Sequence, residues 1–207
     1  DILRTMRGFG YDVRETDPFE KPADESLAFS SPYEARITLM WKEMREQILP
    51  LIDKSERKIV DVKGYMSSLD VKYKDDAYHS LSIEGYQISA ELIEKVRSGN
   101  WRPDAEDKEN KNALVARGYY LAFQAVKESV QEVLEGADAG MVVKKDHQRW
   151  YLQMWSPFVG VGFLKASDLI GYRNNQVYIR GSLHTPLSPD NVRVAMPVLF
   201  DLLKSEP

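Results

Sequence analysis

A mainly α-helical domain with one short β-hairpin is the fold class this sequence predicts, and three observations carry it. Apolar residues recur at helical spacing behind capping residues along most of the chain. One segment alone, 176–180, alternates β-branched and aromatic residues (Val177, Tyr178, Ile179) between turn signals, Asn174-Asn175 before and Gly181-Ser182 after. The third is size and composition: 207 residues, 43% hydrophobic and 29% charged with 12 Gly and 10 Pro, suit one domain with a short appendage.

Residues 1–30 read as an irregular arm or linker. Gly-Phe-Gly, Asp17-Pro18-Phe19 and Lys21-Pro22 punctuate the stretch from Gly8 to Ser31, and no apolar period is sustained there. The domain proper is expected over 31–207. It opens on a cap signal, Ser31-Pro32 with Glu34 three after the cap, followed by Ile37, Trp41, Met44 and Ile48 at helical spacing up to Pro50. A second helix is predicted over 54–69 and a third over 75–84, closed by Gly85. Ser89 caps a short helix to Val96, stopped by Ser98-Gly99-Asn100, and the polar run 103–112 suits a solvated loop. A long helix follows over 113–134, ended by Gly136. Helix is expected again over 145–154, with Pro157 and the glycines at 160, 162 and 171 breaking the chain up to Tyr172. Pro186 and Pro189 lead into a last helix over 190–203. No repeat with a period of 20 to 50 residues is present.

Charge and composition exclude several functions. Lys plus Arg is 28 and Asp plus Glu 32, a net charge of −4, which argues against nucleic acid or an anionic membrane as the partner of these residues. No window approaches the roughly 18 apolar residues of a membrane span. The absence of Cys removes disulfides, thiolate metal sites and cysteine nucleophiles, and with no leader segment the expected location is the cytoplasm. His79, His147 and His184 are far apart and at no ligand spacing, so no metal site is expected. Trp150, Tyr151, Met154 and Trp155 fall at helical spacing and read as core rather than as a stacking platform; Lys144-Lys145 reads as solvated surface. Because the chain opens at Asp1, it is read as a piece of a longer protein.

The informative segment is Ser80-Leu81-Ser82-Ile83-Glu84-Gly85. On a helix over 75–84, Ser80 and Glu84 stand four apart and share a face, so a hydroxyl and a carboxylate can address one neighbour. Glu84 also lies in the last turn, at the negative end of the helix dipole. That placement costs a few tenths to about 1 kcal/mol unless solvent or a cation offsets it. Two readings follow from the residues alone: a solvated Glu before a glycine cap, or a carboxylate placed to meet an arginine or lysine.

The string SLSIEG resembles the inhibitory motif of Fic (filamentation induced by cAMP) proteins, [S/T]-x-x-x-E-[G/N], with Ser80, Glu84 and Gly85 at the specified positions. About ninety residues on, Tyr172-Arg173-Asn174-Asn175-Gln176-Val177-Tyr178-Ile179-Arg180-Gly181 and then His184-Thr185-Pro186 resemble the flap of Fic domains, here over 173–186. The resemblance spans about 31–207. It implies a helical Fic-type domain with a hairpin flap, an autoinhibited AMP transferase of the class that carries its inhibitory motif N-terminally, and Glu84 as the restraint, set against a phosphate-binding arginine. Gln176, Val177, Tyr178, Ile179 and His184 would dock a target protein that offers a Ser, Thr or Tyr hydroxyl. Removal of AMP instead of its transfer stays open, as does a homodimer. The family's catalytic string H-P-F-x-[D/E]-G-N-G-R is missing. The nearest echo, from His184 to Arg193, has neither glycine and two extra prolines, so no backbone there can close on a pyrophosphate. The expectation is that the chain stops short of the active-site helix, that ATP and Mg serve the complete protein only, and that this chain alone has no catalytic residue, no cofactor and no transfer activity. A helical regulatory or interaction module without chemistry is the alternative.

Overall fold

The computed structural model describes residues 2–10, 29–52, 61–100 and 111–206. Among the described residues there are seven α-helices and no strand: α1 (Ile2–Gly8), α2 (Pro32–Ile48), α3 (Val62–Ile83), α4 (Ala90–Arg97), α5 (Lys111–Leu134), α6 (Ala139–Gly160) and α7 (Pro189–Ser205). The chain forms two compact units. One comprises Asp1–Leu51 and Tyr172–Leu199, the other Ile52–Gly171 and Phe200–Pro207.

The second unit holds the core. α3 buries Tyr73, Ala77 and Leu81, each one turn apart, so a single stripe of the helix faces inward. Against it pack Ile93 and Val96 of α4, Leu114, Val115 and Ala116 of α5, and Phe158 of α6. Tyr73, Ile93, Leu114, Val96 and Val115 are fully buried, which stabilises the fold by about 1.5–3 kcal/mol for each large apolar side chain. α5 and α6 form an antiparallel pair joined by residues 135–138, and they approach closely at Gly118. A Cβ there would stand 1.9 Å from the Met154 carbonyl oxygen, so only a residue without a side chain fits.

The same helix pair closes over a buried polar cluster. Ser129 donates to Asp146 Oδ2 (2.6 Å) and accepts from Trp150 Nε1 (3.1 Å), while Arg149 donates to the Ala125 carbonyl (3.0 Å) and to Glu128 (2.6 Å). At its edge Lys145 bonds Glu132 (2.5 Å). Trp150 is thus a hydrogen-bonding wall of the cluster. Met154 and Trp155 pack on the core as expected, whereas Tyr151 is largely exposed.

The elements differ from the predicted ones in instructive places. α3 is one helix of 22 residues where two were expected, because 70–74 (Asp-Val-Lys-Tyr-Lys) contains no breaker; residues 53–60 lie outside the described residues. α6 begins at Ala139, capped by Asp138, whose carboxylate accepts from the Met141 N–H (2.7 Å), and it runs through Pro157. A proline removes the donor to the carbonyl four residues back. Here the Ser156 hydroxyl donates to that carbonyl, of Gln153, at 3.0 Å, so the helix continues. The predicted caps at Ser31 and Ser89 are present, accepting from the Glu34 and Leu92 N–H groups (3.1 Å each). Glu34 reaches back one residue further than a capping box requires, to the N–H (2.7 Å) and hydroxyl of Ser30, and these bonds hold its carboxyl below the usual range. Part of the arm, Ile2–Gly8, is helical; residues 11–28 lie outside the described residues.

The predicted β-hairpin is not seen: among the described residues 176–180 pairs with no strand. The physical reason lies in the returning limb. Pro186 has no N–H to offer a ladder, and the carbonyls of Pro186 and Leu187 are taken by the side chains of Gln176 and Arg173.

Candidate functional site

Gly85 ends α3 as the glycine expectation required. Its φ is +86°, its N–H donates to the Ser82 carbonyl (3.0 Å), and the next N–H, of Tyr86, reaches the Leu81 carbonyl (3.1 Å). This double bond pattern is a Schellman cap, which needs a left-handed residue at that position. Glu84 becomes the C-cap, with its N–H bonded to the Ser80 carbonyl and its carboxylate exposed. Among the described residues no hydrogen bond or ion pair engages that carboxylate. Ser80 goes elsewhere. It is half-buried beside Tyr119, whose hydroxyl donates to Asp76 Oδ2 at 2.6 Å. Burial and that bond push the Tyr119 phenol up to about 12, with Ser80 acting in the opposite direction. The shared helix face is real, but the two side chains do not converge on one partner.

The loop 173–187 is fastened by side chains. Arg173 bonds the carbonyls of Asn175 (2.9 Å) and Leu187, Gln176 bonds the Pro186 carbonyl (2.9 Å), and Arg193 of α7 bonds Asn174 Oδ1 (2.5 Å). At the tip, the Ser182 N–H donates to the Ile179 carbonyl (3.1 Å), closing a turn. Beyond these fastenings the apolar residues point outward. Tyr178 is 77% exposed, and Val177, Ile179 and Leu183 are exposed as well. His184 is exposed, its N–H held by Ser182 Oγ (3.0 Å). Alternation in the sequence would set Val177 and Ile179 on the face opposite Tyr178, whereas all three are exposed, and it does not reveal Arg173 and Arg193 as the loop's fasteners, because nothing in a local pattern pairs residue 173 with 187.

A polar pocket of about 570 Å³ between α3, α4 and α5 carries no sequence motif at all. Asp70, Tyr73, Glu94, Arg97, Ser98, Tyr120, Gln124 and Lys127 line it. Arg97 pairs with Glu94 (2.9 Å) and Lys127 with Asp70 (2.5 Å). Tyr73 is 2% exposed, and its hydroxyl has no hydrogen-bond partner among the described residues. An unanswered buried hydroxyl costs about 1–3 kcal/mol. Burial pushes the Tyr73 phenol far above the usual tyrosine range. The only sequence signal was the spacing of 120, 124 and 127 on one face of α5, indistinguishable from a solvated face before the helices are assembled.

No group of three or more His, Asp or Glu among the described residues is arranged to hold a metal ion, and no helix among them is long and apolar enough to cross a membrane. Comparison with known proteins returns no match: no family model, no curated protein and no solved structure matches the chain.

Proposed function

We propose that the chain is the regulatory and target-docking part of an autoinhibited Fic-type AMP transferase. The observation that carries this reading is the Glu84 carboxylate, exposed at the C-terminal end of α3 and engaged by no described residue. An acid at that end of a helix is disfavoured by the dipole, and a guanidinium from a catalytic segment would offset this with charge-assisted hydrogen bonds. The cap at Gly85 fixes the backbone from which the Glu84 side chain projects. The outward-facing loop residues Val177, Tyr178 and Ile179 support a docking surface for the target's hydroxyl-bearing segment, with Gln176 and His184 shaping its base and edge. ATP and Mg do not fit these residues: the stretch from His184 to Arg193 has no glycine and two prolines, so both are assigned to the catalytic segment of the complete protein, and the chain alone is inactive. In a protein that carries the family's catalytic string, Glu84→Gly should raise AMP transfer or auto-modification about 10- to 100-fold, the equivalent of roughly 1.5–3 kcal/mol for a charge-assisted contact, and Ser80→Ala should raise it less. Unchanged transfer, measured with labelled ATP, overturns the reading.

One observation favours a helical interaction module without chemistry. α2 has no buried residue and exposes Leu39, Met40, Met44 and Ile48.

A further inference from the structure

Asp76, Ser80 and Glu84 follow one another at intervals of four, so they lie along one stripe of α3 that runs out to its C-cap. The first two are taken by a single residue of α5. The Tyr119 hydroxyl donates to Asp76 Oδ2 at 2.6 Å, and the Ser80 hydroxyl meets the same phenol. A phenol has one proton to donate and an oxygen that accepts, so Tyr119 answers both side chains at once. Its ring packs on the core, which sets where the hydroxyl stands. Glu84, third on the stripe, is exposed and engaged by no described residue.

α5 holds the chain again on the far side of the turn, where Asn112 Oδ1 accepts from the Gln87 N–H at 3.2 Å. Positions 112 and 119 are two helical turns apart, so both stand on one face of α5, roughly 10 Å from each other along its axis. Between the two contacts lie the buried Leu81, the cap at Gly85 and Tyr86, which packs on the core.

We infer, resting on the regulatory reading above, that Tyr119 and Asn112 are positioning residues for the inhibitory motif: α5 grips the chain on both sides of Gly85 and so sets the place from which the Glu84 carboxylate projects. The serine of the motif is then an anchor to α5 and not a partner of Glu84. A hydroxyl one turn before the carboxylate, on the same stripe, ties down the helix end and leaves the carboxylate uncovered.

The test has two arms. In the 207-residue chain, native-state hydrogen exchange of the Glu84, Gly85 and Tyr86 amides, all bonded within the cap, reads how firmly the helix end is held. Tyr119→Phe, which keeps the ring, and Asn112→Ala should each speed that exchange about three- to tenfold, as expected for one hydrogen bond. Ser80→Ala, which leaves the core untouched, should reproduce part of the Tyr119→Phe effect. The amides of Ala137 and Gly162, bonded at the ends of α5 and α6, should keep wild-type rates. Unchanged exchange at 84–86 in either α5 variant, or an equal rise at 137 and 162, overturns the inference. In a protein that carries the family's catalytic string, both α5 variants should raise AMP transfer about two- to tenfold, less than Glu84→Gly does, and add nothing in the Glu84→Gly background. Loss of fold would not produce that dependence on Glu84. A rise that persists in the Glu84→Gly background, or no rise where Glu84→Gly itself raises transfer, overturns the grip and leaves the regulatory reading standing. If Glu84→Gly leaves transfer unchanged, the regulatory reading fails, and exchange at 84–86 alone judges the grip.

Discussion

The helix α5 carries two polar clusters on different faces, and they are built on opposite terms. Toward α6, Ser129, Asp146, Arg149 and Trp150 answer one another, leaving only Arg149 Nε buried without a partner among the described residues. Toward α3 and α4, Tyr120, Gln124 and Lys127 border a pocket in which a fully buried phenol is left unanswered. A polar cluster whose donors are matched inside the protein fixes the register of two helices; one that leaves a buried hydroxyl unmatched contributes little to stability.

Mutations on the matched face should therefore cost far more than mutations on the open one. The largest effect is expected at Gly118→Ala, where a Cβ would meet the Met154 backbone at 1.9 Å: a loss of about 3 kcal/mol, the upper end for overpacking, read by urea denaturation. Asp146→Ala should cost about 1–2 kcal/mol, since it removes the buried charged acceptor of the Ser129 hydroxyl while Arg149 keeps Glu128 and the Ala125 carbonyl, and the same denaturation series measures it. Between the two faces stands the Tyr119 to Asp76 bond. Because the folded phenol titrates near 12, above the ordinary value of 10, the folded state holds its proton longer. Its contribution is complete below pH 10 and is lost as pH rises toward 12. Thermal melts of wild type and Tyr119→Phe should converge over that interval, and parallel curves would contradict the assignment.

The smallest changes in stability are expected where partners are absent or superficial. Tyr73→Phe should lie within about 0.5 kcal/mol of wild type, or stabilise, because the hydroxyl it removes has no partner; a loss of about 2 kcal/mol would place a hidden hydrogen bond there and erase the contrast between the clusters. In the first unit, Arg173→Ala should leave the melting temperature unchanged yet speed tryptic cleavage after Arg180, since the guanidinium ties residue 187 to residue 175. Arg173→Lys should rescue only part, as an ammonium lacks the planar fork.

What was legible in the sequence was whatever is decided within a turn or two of chain. The caps at Ser31 and Ser89, the glycine stop at Gly85 and the long α5 all follow from local pattern. Errors came where a distant or neighbouring group changes the outcome. Pro157 reads as a break until the Ser156 hydroxyl is seen to cover the abandoned carbonyl. The alternation at 176–180 reads as a strand until its partner limb is found to lack a donor and to have its carbonyls taken by side chains. Of the candidate motif, the position of Glu84 and the role of Gly85 were readable, but not that Ser80 turns toward Tyr119. The pocket was invisible, since its eight residues come from three helices with no shared spacing.

At Gly140 the second unit receives a segment from far along the chain. A Cβ there would stand 2.4 Å from the Lys204 backbone nitrogen, so residues near 204 seat directly on α6. During vectorial synthesis the α5–α6 pair, complete at Gly160, leaves the ribosome some forty residues before that segment does, a few seconds at ordinary elongation rates. The helix pair can form at once from its own contacts, but the groove over Gly140 stays uncovered until residues 200–205 emerge. A chain truncated near residue 190 should thus be helical yet sensitive to proteases along α6, and one that carries residues 200–205 should be protected there.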